Sequence, residues 1–169
     1  MKIEVINMKT NQTNDLSEKI IDAIYGNNLM EIEQWQDIQT INDLDRENRS
    51  AIFYAVLSKS MKVVRQLLKS NPCLNLNDKK EWAPLHYAAQ NYLTDIAKLL
   101  IDKGADIEIK DDYGNTPLWK ATFASQGKGE MIKFLLSKGA DPNNFNDSDI
   151  SPLELANTIA NYNVKQFFC

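Results

Sequence analysis

An internal repeat constrains this chain more than any other feature of its sequence. Four six-residue segments align without gaps, and they occupy residues 50–55, 83–88, 116–121 and 151–156. Successive segments are 33, 33 and 35 residues apart. A pair of bulky apolar residues follows each segment, at Leu67-Leu68, Leu99-Leu100, Leu135-Leu136 and Phe167-Phe168. Such a period indicates stacked units that bury their apolar faces against their neighbours.

Each unit is predicted to contain two helices. Thr116-Pro117 is typical of a helix start, because the hydroxyl accepts a hydrogen bond from an early amide and proline presets φ. The second helix has an apolar stripe at helical spacing, for example Ile132, Leu135 and Leu136. The pattern therefore predicts a helix, a second helix and a loop in each unit.

Residues that tolerate a left-handed backbone mark where the helices end and the chain turns. Gly104 and Gly139 are predicted to end second helices, and Asn71 holds that place one unit earlier. Residues 111–115 predict a tight turn into the next unit, with glycine at position 114. Its counterparts are Asn48, Glu81 and Asp149, of which the last two adopt such a backbone less readily. Residues 127–129 are predicted to form a longer, flexible loop between the two helices of one unit.

These motifs resemble the ankyrin repeat, a unit of about 33 residues with a Thr-Pro-Leu-His-x-Ala box and a Gly-Ala-Asp after its second helix. Residues 83–89 match the box almost completely, and residues 103–106 match the second motif. The resemblance implies an all-α solenoid of stacked helix-turn-helix units with short β-turn loops. The box's His position holds Phe53, His86, Trp119 and Glu154. The hydrogen-bond network that the family makes through this His is therefore expected in one unit.

The repeat register divides the chain into six predicted parts. They are an N-terminal arm (1–16), a divergent capping helix pair (17–44), ankyrin repeats at 45–77, 78–110 and 111–145, and a C-terminal capping repeat (146–169).

Composition narrows the possible settings of such an array. The 169 residues carry 19 basic and 23 acidic side chains, a net charge of -4, which disfavours nucleic acid as a partner. No apolar run is long enough to span a membrane, and the first residues become polar too soon for a secretory signal. Two cysteines, Cys73 and Cys169, make no disulfide framework. We therefore expect a cytoplasmic protein that is a monomer when free.

No pattern in the sequence predicts catalysis, a cofactor or a metal site. His86 lies inside the repeat box, where a structural role is expected, and no Cys or second His accompanies it. Asp111-Asp112 and the pair Asp147 and Asp149 resemble paired carboxylates, but their phase matches that of turn residues that cap the next helix. Zinc would need about four regularly spaced ligands.

Protein binding is the positive expectation, because stacked repeats present an extended concave surface of loop tips and first helices. The residues predicted to project into it are Arg46, Arg49, Lys79, Lys80, Trp82, Asn91, Lys110, Asp112, Tyr113, Asn115, Phe123, Asp147 and Asp149. Trp82 and Tyr113 are the expected anchors, since aromatic residues are enriched at binding hot spots. The first two loop tips have mixed charge and the last two are acidic, which favours a basic protein partner.

Two functions remain open from the sequence. Small single-array members of the family often act as inhibitors or as bacterial immunity proteins, and the Asn-, Ile- and Lys-rich composition is typical of an AT-rich genome. The leading hypothesis is an inhibitor or antitoxin that covers a basic functional surface, such as the cleft of a nuclease or another toxin. The alternative is an adaptor that bridges two proteins and presents a second exposed apolar patch.

Overall fold

The computed structural model describes residues 16–36 and 41–168, and the predicted N-terminal arm lies outside them except for Leu16. Nine α-helices occur in the described part. They are α1 (Glu18–Tyr25), α2 (Leu29–Gln36), α3 (Ala51–Leu57), α4 (Met61–Leu67), α5 (Pro84–Gln90), α6 (Thr94–Asp102), α7 (Pro117–Phe123), α8 (Glu130–Ser137) and α9 (Pro152–Thr158). Two 3₁₀ helices, Leu68–Ser70 and Val164–Phe168, complete the list. The expected all-α fold is confirmed.

The helices form two layers that run the length of the array. The first helices α1, α3, α5, α7 and α9 pack side by side, and the second helices α2, α4, α6 and α8 form the other layer. The C-terminal 3₁₀ helix packs on α8 and α9, in the position of a last second helix. Leu67, Leu100 and Leu135 are fully buried between the layers. The apolar stripe of each unit therefore supplies the core.

Helix starts and stops follow the local chemistry of the repeat. The Thr116 hydroxyl accepts a hydrogen bond from Trp119 N at 3.3 Å, as expected of an N-cap. Ser151 and Glu154 form a reciprocal pair, because each side chain accepts from the other residue's amide. Gly104 and Gly139 both have φ of 94°, which lets the chain leave the second helix.

Each of the four turns has a residue with a left-handed backbone conformation at the same position. Gly114 has φ of 71°, and Asn48, Glu81 and Asp149 have φ of 59°, 55° and 56°. Glu81 and Asp149 thus adopt the conformation despite their lower preference, and in each turn this residue's amide donates to the carbonyl three residues earlier. The hydrogen-bonded turn imposes the backbone conformation where the residue type does not favour it.

The loop between α7 and α8 differs from its counterparts, as the spacing predicts. Six residues separate these helices, whereas three separate α3 from α4 and α5 from α6. The loop packs against aromatic rings of the C-terminal segment: a Cβ on Gly127 would lie 2.8 Å from the Tyr162 ring, and one on Gly129 would overlap Phe167. The longer loop and the last 3₁₀ helix are therefore packed together, so the predicted length of the loop is found but its predicted flexibility is not.

Gly129→Ala tests this packing, because φ at Gly129 is negative and the three atoms nearest to the added methyl group all belong to the Phe167 ring. We expect a loss of about 2 kcal/mol in the free energy of unfolding, measured by urea denaturation. In a Phe167→Ala background the same substitution is expected to cost less than about 1 kcal/mol, the N-cap preference alone. Equal costs in the two backgrounds would contradict the proposed contact.

Candidate functional site

The first residue of each turn organises the loop that follows it. The Oδ1 atom of Asp78 accepts hydrogen bonds from Lys80 N and Trp82 N at 2.9 and 3.2 Å. Asp45, Asp111 and Asn146 make the equivalent pair of bonds. These four residues, here called the turn ladder, close the turns, whereas Thr116 and Ser151 cap helices. In the fourth turn this position belongs to Asn146 and not to Asp147.

The second carboxylate oxygen of each ladder aspartate binds the first helix of its own unit. Tyr54 donates its hydroxyl to Asp45, and Tyr87 donates to Asp78. Lys120 forms an ion pair with Asp111, in which both side chains are almost fully buried. The partner lies nine residues after the aspartate in all three units, so the turn is fastened to its helix.

Neighbouring units are joined through the same ladder. Arg49 donates to Asp78 Oδ2 from Nε at 3.1 Å and from Nη2 at 3.0 Å. Asn146 donates its side-chain amide to Asn115 Oδ1 at 2.8 Å. Between these contacts, the Lys120 ammonium lies 4.1 Å from the centroid of the Trp82 ring, within cation–π range. Each unit therefore contacts the next one through side chains that the turns hold in place.

Two of the ladder aspartates, Asp78 and Asp111, stay ionised under conditions where isolated ones begin to protonate. Burial by itself would raise the pKa of Asp78, but hydrogen bonds from Tyr87, from two turn amides and from Arg49 outweigh it and lower the pKa. The pKa of Asp111 is lowered in the same way, against burial, chiefly by Lys120. Burial and the neighbouring Asp78 raise the pKa of Tyr87 to about 12. Asp78 and Asp111 are therefore fixed charges at neutral pH.

The last two turns present carboxylates that the ladder does not use. Tyr113 O accepts a hydrogen bond from Asp147 N at 3.1 Å, which places the two tips side by side. Asp112, Asp147 and Asp149 are exposed, and the Tyr113 ring is 66% exposed. We call these four residues the acidic tip patch. It combines negative charge with one large apolar side chain.

Comparison with known families explains the period of the array. The family model for ankyrin repeats (3 copies) matches residues 19–111 and 52–146, most of the chain. The chain belongs to the ankyrin-repeat family. The resemblance to ankyrin repeats that the sequence motifs indicated is thus confirmed.

Similar ankyrin proteins occur in very different organisms. A putative ankyrin repeat protein of Acanthamoeba polyphaga mimivirus is 34% identical over 60% of this chain and 13% of its own length. Human ankyrin repeat and SOCS box protein 3 is 36% identical over 62% of this chain and 20% of its own. Human protein phosphatase 1 regulatory subunit 27 is 37% identical over 40% of this chain and 44% of its own. The chain spans less than half the length of each of these relatives.

Most of the predicted contact residues lie on the surface of the ankyrin array. The exposed ones are Arg46, Lys79, Lys80, Asn91, Lys110, Asp112, Tyr113, Phe123, Asp147 and Asp149. Lys79 lies 3.6 Å from a Glu47 oxygen, and Lys110 donates to Phe145 O at 2.7 Å. Whether these residues contact a partner stays a prediction.

Three predicted contact residues lie deeper than expected. Asn115 is only 5% exposed and bonds to Asp111 and Asn146, so it belongs to the interface between units and does not project from the surface. Arg49 is committed to the turn ladder, and Trp82 is half-buried between Tyr87 and Lys120. The residue before the helix cap faces the next unit, and this is why all three are covered.

Sequence reasoning missed the ladder partners Tyr54, Tyr87 and Lys120. They were detectable in principle, because each follows a turn aspartate by nine residues. No residue type marks them, since two are phenols and one is an ammonium. Only the common hydrogen-bonding role connects them, and that role appears once the turns and helices are placed together.

His86 occupies the ankyrin box and has a structural role. It is fully buried, its Nδ1 accepts from Ala83 N at 3.0 Å, and its Nε2 lies 3.0 Å from Asn115 O. The neutral tautomer with hydrogen on Nε2 satisfies both contacts. Burial lowers the pKa of His86 to about 4, which keeps it neutral at physiological pH. The ring thus connects the second and third turns.

Other site classes have no counterpart in the described part of the chain. Within residues 16–36 and 41–168, no group of three or more His, Cys, Asp or Glu side chains is arranged to hold a metal ion. No helix within these ranges is long and apolar enough to cross a membrane.

The lowered pKa of His86, the only histidine, predicts acid destabilisation that starts well above the aspartate range. The unfolded chain binds a proton near pH 6.5 and the folded chain near 4, so stability is full above 6.5 and declines as pH falls toward 4. We expect the free energy of unfolding to fall by roughly 1 kcal/mol per unit between pH 6.5 and 5.

Urea denaturation at a series of pH values measures this slope. His86→Asn is expected to be less stable at pH 7 but to lose most of the slope in that interval, because no group with a similar pKa remains. An unchanged slope in the variant would show that another group titrates.

Proposed function

We propose that this ankyrin chain is a non-enzymatic protein-binding module whose acidic tip patch captures a basic surface of its partner. The observation that carries the proposal is the pairing of the last two turns, which brings Asp112, Asp147 and Asp149 around the exposed Tyr113. Aromatic side chains bordered by charge are typical of binding hot spots. Complementary charge accelerates encounter and selects the partner.

The turn ladder explains why negative charge remains at these tips. Arg49 is neutralised by Asp78 and Lys120 by Asp111, so these two cations do not neutralise the carboxylates at the tips. Among the described residues, no cation forms an ion pair with any carboxylate of the acidic tip patch. Their field therefore extends into solvent and attracts a basic surface.

The finer proposal is that the chain acts by occupancy, as a small cytoplasmic inhibitor or bacterial immunity protein. A rigid acidic surface that covers a basic cleft, such as that of a nuclease-like toxin, blocks access without any chemistry of its own. The name of human protein phosphatase 1 regulatory subunit 27 describes that relative as a regulatory subunit, which supports a regulatory use of such arrays. The free chain is proposed to be a monomer without cofactors.

An adaptor function is the second candidate, because the chain has apolar residues exposed far from the acidic tip patch. Met30 on α2 is 72% exposed and Tyr25 at the end of α1 is 52% exposed. An adaptor uses this N-terminal pair for a second protein, whereas an inhibitor needs one surface. The double variant Met30→Ser/Tyr25→Ser separates the two, since only an adaptor loses one of two partners.

Charge reversal tests the leading proposal. The chain carrying Asp112→Lys/Asp147→Lys and the wild type serve as baits in lysate of the cells that encode them. Glu33→Lys/Asp95→Lys, on second helices, is the matched control with the same change in net charge. We expect wild type and control to retain a basic protein, and the tip variant to bind it at least about tenfold more weakly.

The salt dependence of the retained protein completes the test. Binding by the wild type is expected to weaken steeply as salt is raised, since the attraction acts between exposed charges. Binding that survives both the tip variant and high salt would rule out the acidic tip patch as the contact surface. Loss of binding in the control variant as well would mean that net charge, and not this patch, is responsible.

A further inference from the structure

A depression of about 410 Å³ lies between the C-terminal ends of α5 and α7. Gln90 and Asn91 form one side, and Phe123, Gln126 and Lys128 form the other. It is at the opposite end of the first helices from the turns, so the acidic tip patch does not include it. Of the thirteen residues predicted to contact a partner, it contains Asn91 and Phe123.

The floor of the depression is fixed by a hydrogen-bonded tyrosine. The Tyr92 hydroxyl lies 2.9 Å from both Ala121 O and Lys128 O, which ties the second unit to the long loop of the third. Tyr92 itself has φ of 56°, a conformation that a tyrosine adopts only when its surroundings impose it. The two sides of the depression are therefore held at a set separation.

The loop that forms the second side is also supported from behind. The Tyr162 and Phe167 rings pack against Gly127 and Gly129, where no side chain larger than hydrogen fits. The Lys133 ammonium lies 5.3 Å from the centroid of the Phe167 ring and adds a cation–π contact. The long loop is thus supported on both of its faces and provides a preformed wall.

The lining groups have a definite chemistry. The Phe123 ring is 65% exposed and stacks on Trp119, with centroids 5.4 Å apart and planes 13° apart. Asn91 donates its side-chain amide to Tyr87 O, which leaves its carbonyl oxygen as an acceptor. The amides of Gln90 and Gln126 are exposed, and Lys128 is the only charged residue of the lining. These groups offer one apolar platform, several amides and one cation.

Aromatic and cationic groups connect the turns with this depression along α7. The Lys120 ammonium contacts the Trp82 ring and lies 5.8 Å from the centroid of the Trp119 ring. Trp119 in turn stacks on Phe123. Because α7 has seven residues, its length is about 10 Å, which about three residues of extended chain would span.

We propose that this depression binds an extended peptide segment of the partner, with an apolar side chain on Phe123 and a carboxylate at Lys128. Side-chain amides match the N–H and C=O groups of an extended main chain, and a lone ammonium matches a carboxylate. Basic residues farther along the same segment, more than three positions away, then reach the acidic tip patch. The inference rests on the proposed function, because it describes the partner that the same face captures.

Selection from a displayed library of random short peptides tests this inference. We expect wild-type chain to enrich sequences in which an apolar residue adjoins Asp, Glu or a free C-terminus, with Lys or Arg several residues away. A synthetic copy of an enriched peptide, with the carboxylate or with its amide, then gives dissociation constants by fluorescence anisotropy. Phe123→Ala is expected to weaken binding about tenfold.

Lys128→Glu is expected to raise the dissociation constant of the carboxylate peptide about tenfold and to leave that of the amide peptide within about twofold of the wild-type value. Met30→Ala and Lys103→Glu are matched controls on exposed residues outside the depression, and neither is expected to change the dissociation constant. Unchanged binding in Phe123→Ala and Lys128→Glu, or enrichment without the apolar and acidic pair, would overturn the inference.

The tip variant Asp112→Lys/Asp147→Lys separates this inference from the proposed function. Basic peptides that depend on the tips but not on Phe123 and Lys128 would refute the depression as a peptide site and leave the proposed function intact. Peptides whose binding depends on Phe123 and Lys128 but not on the tips would refute the proposed function of the acidic tip patch and leave the depression as a peptide site. Concentration-dependent dimerisation of the chain, abolished by Phe123→Ala in sedimentation, would assign the depression to a second copy and overturn the inference.

Discussion

The array depends on one arrangement, an aspartate that begins a turn and uses both of its oxygens. In Asp78, one oxygen closes the turn and the other receives Tyr87 from its own unit and Arg49 from the preceding unit. A carboxylate in this position would be costly to bury alone, but donors from four residues compensate for the lost hydration. The turns keep their shape and spacing because this charge is satisfied from three directions.

The same arrangement divides the surface of the array into two electrostatic regions. Within the first three units, the ion pairs of Arg49 with Asp78 and of Lys120 with Asp111 cancel two positive and two negative charges inside the array. The fourth unit begins with Asn146, which closes its turn without a charge. The acidic residues beside it, Asp147 and Asp149, are therefore not needed to close the turn. The proposal of a basic partner rests on that end of the array, because the internal pairs do not cancel its charge.

The sequence predicted the array well where the cause is local. The cap at Thr116, and the stops at Gly104 and Gly139, are properties of a few adjacent residues, and the structure has each of them. Contacts between units were harder to predict. Asparagine is usually exposed, yet Asn146, 31 positions later in the chain, covers Asn115. Trp82 was expected as a free anchor, but Lys120 covers part of its ring.

The candidate site shows the same distinction. The acidic tips were predictable, because polar residues in the middle of a turn, such as Asp112 and Asp147, are exposed. The depression near Phe123 was not, since its floor is a Tyr92 hydroxyl bonded to Lys128 O, 36 residues away. Two glycines in the sequence indicated an unusual loop, but only the packing of Tyr162 and Phe167 shows why glycine is needed there.

A double-mutant cycle on Arg49→Gln and Asp78→Asn tests most directly whether the ladder couples neighbouring units. Asparagine keeps the acceptor that closes the turn, as Asn146 does, and removes the charge that Arg49 binds. We expect a coupling of at least about 1.5 kcal/mol in the free energy of unfolding. The exposed pair Glu47 and Lys79, varied to Gln, is expected to give less than about 0.5 kcal/mol. A coupling at Arg49 and Asp78 no larger than that of the exposed pair would contradict the account.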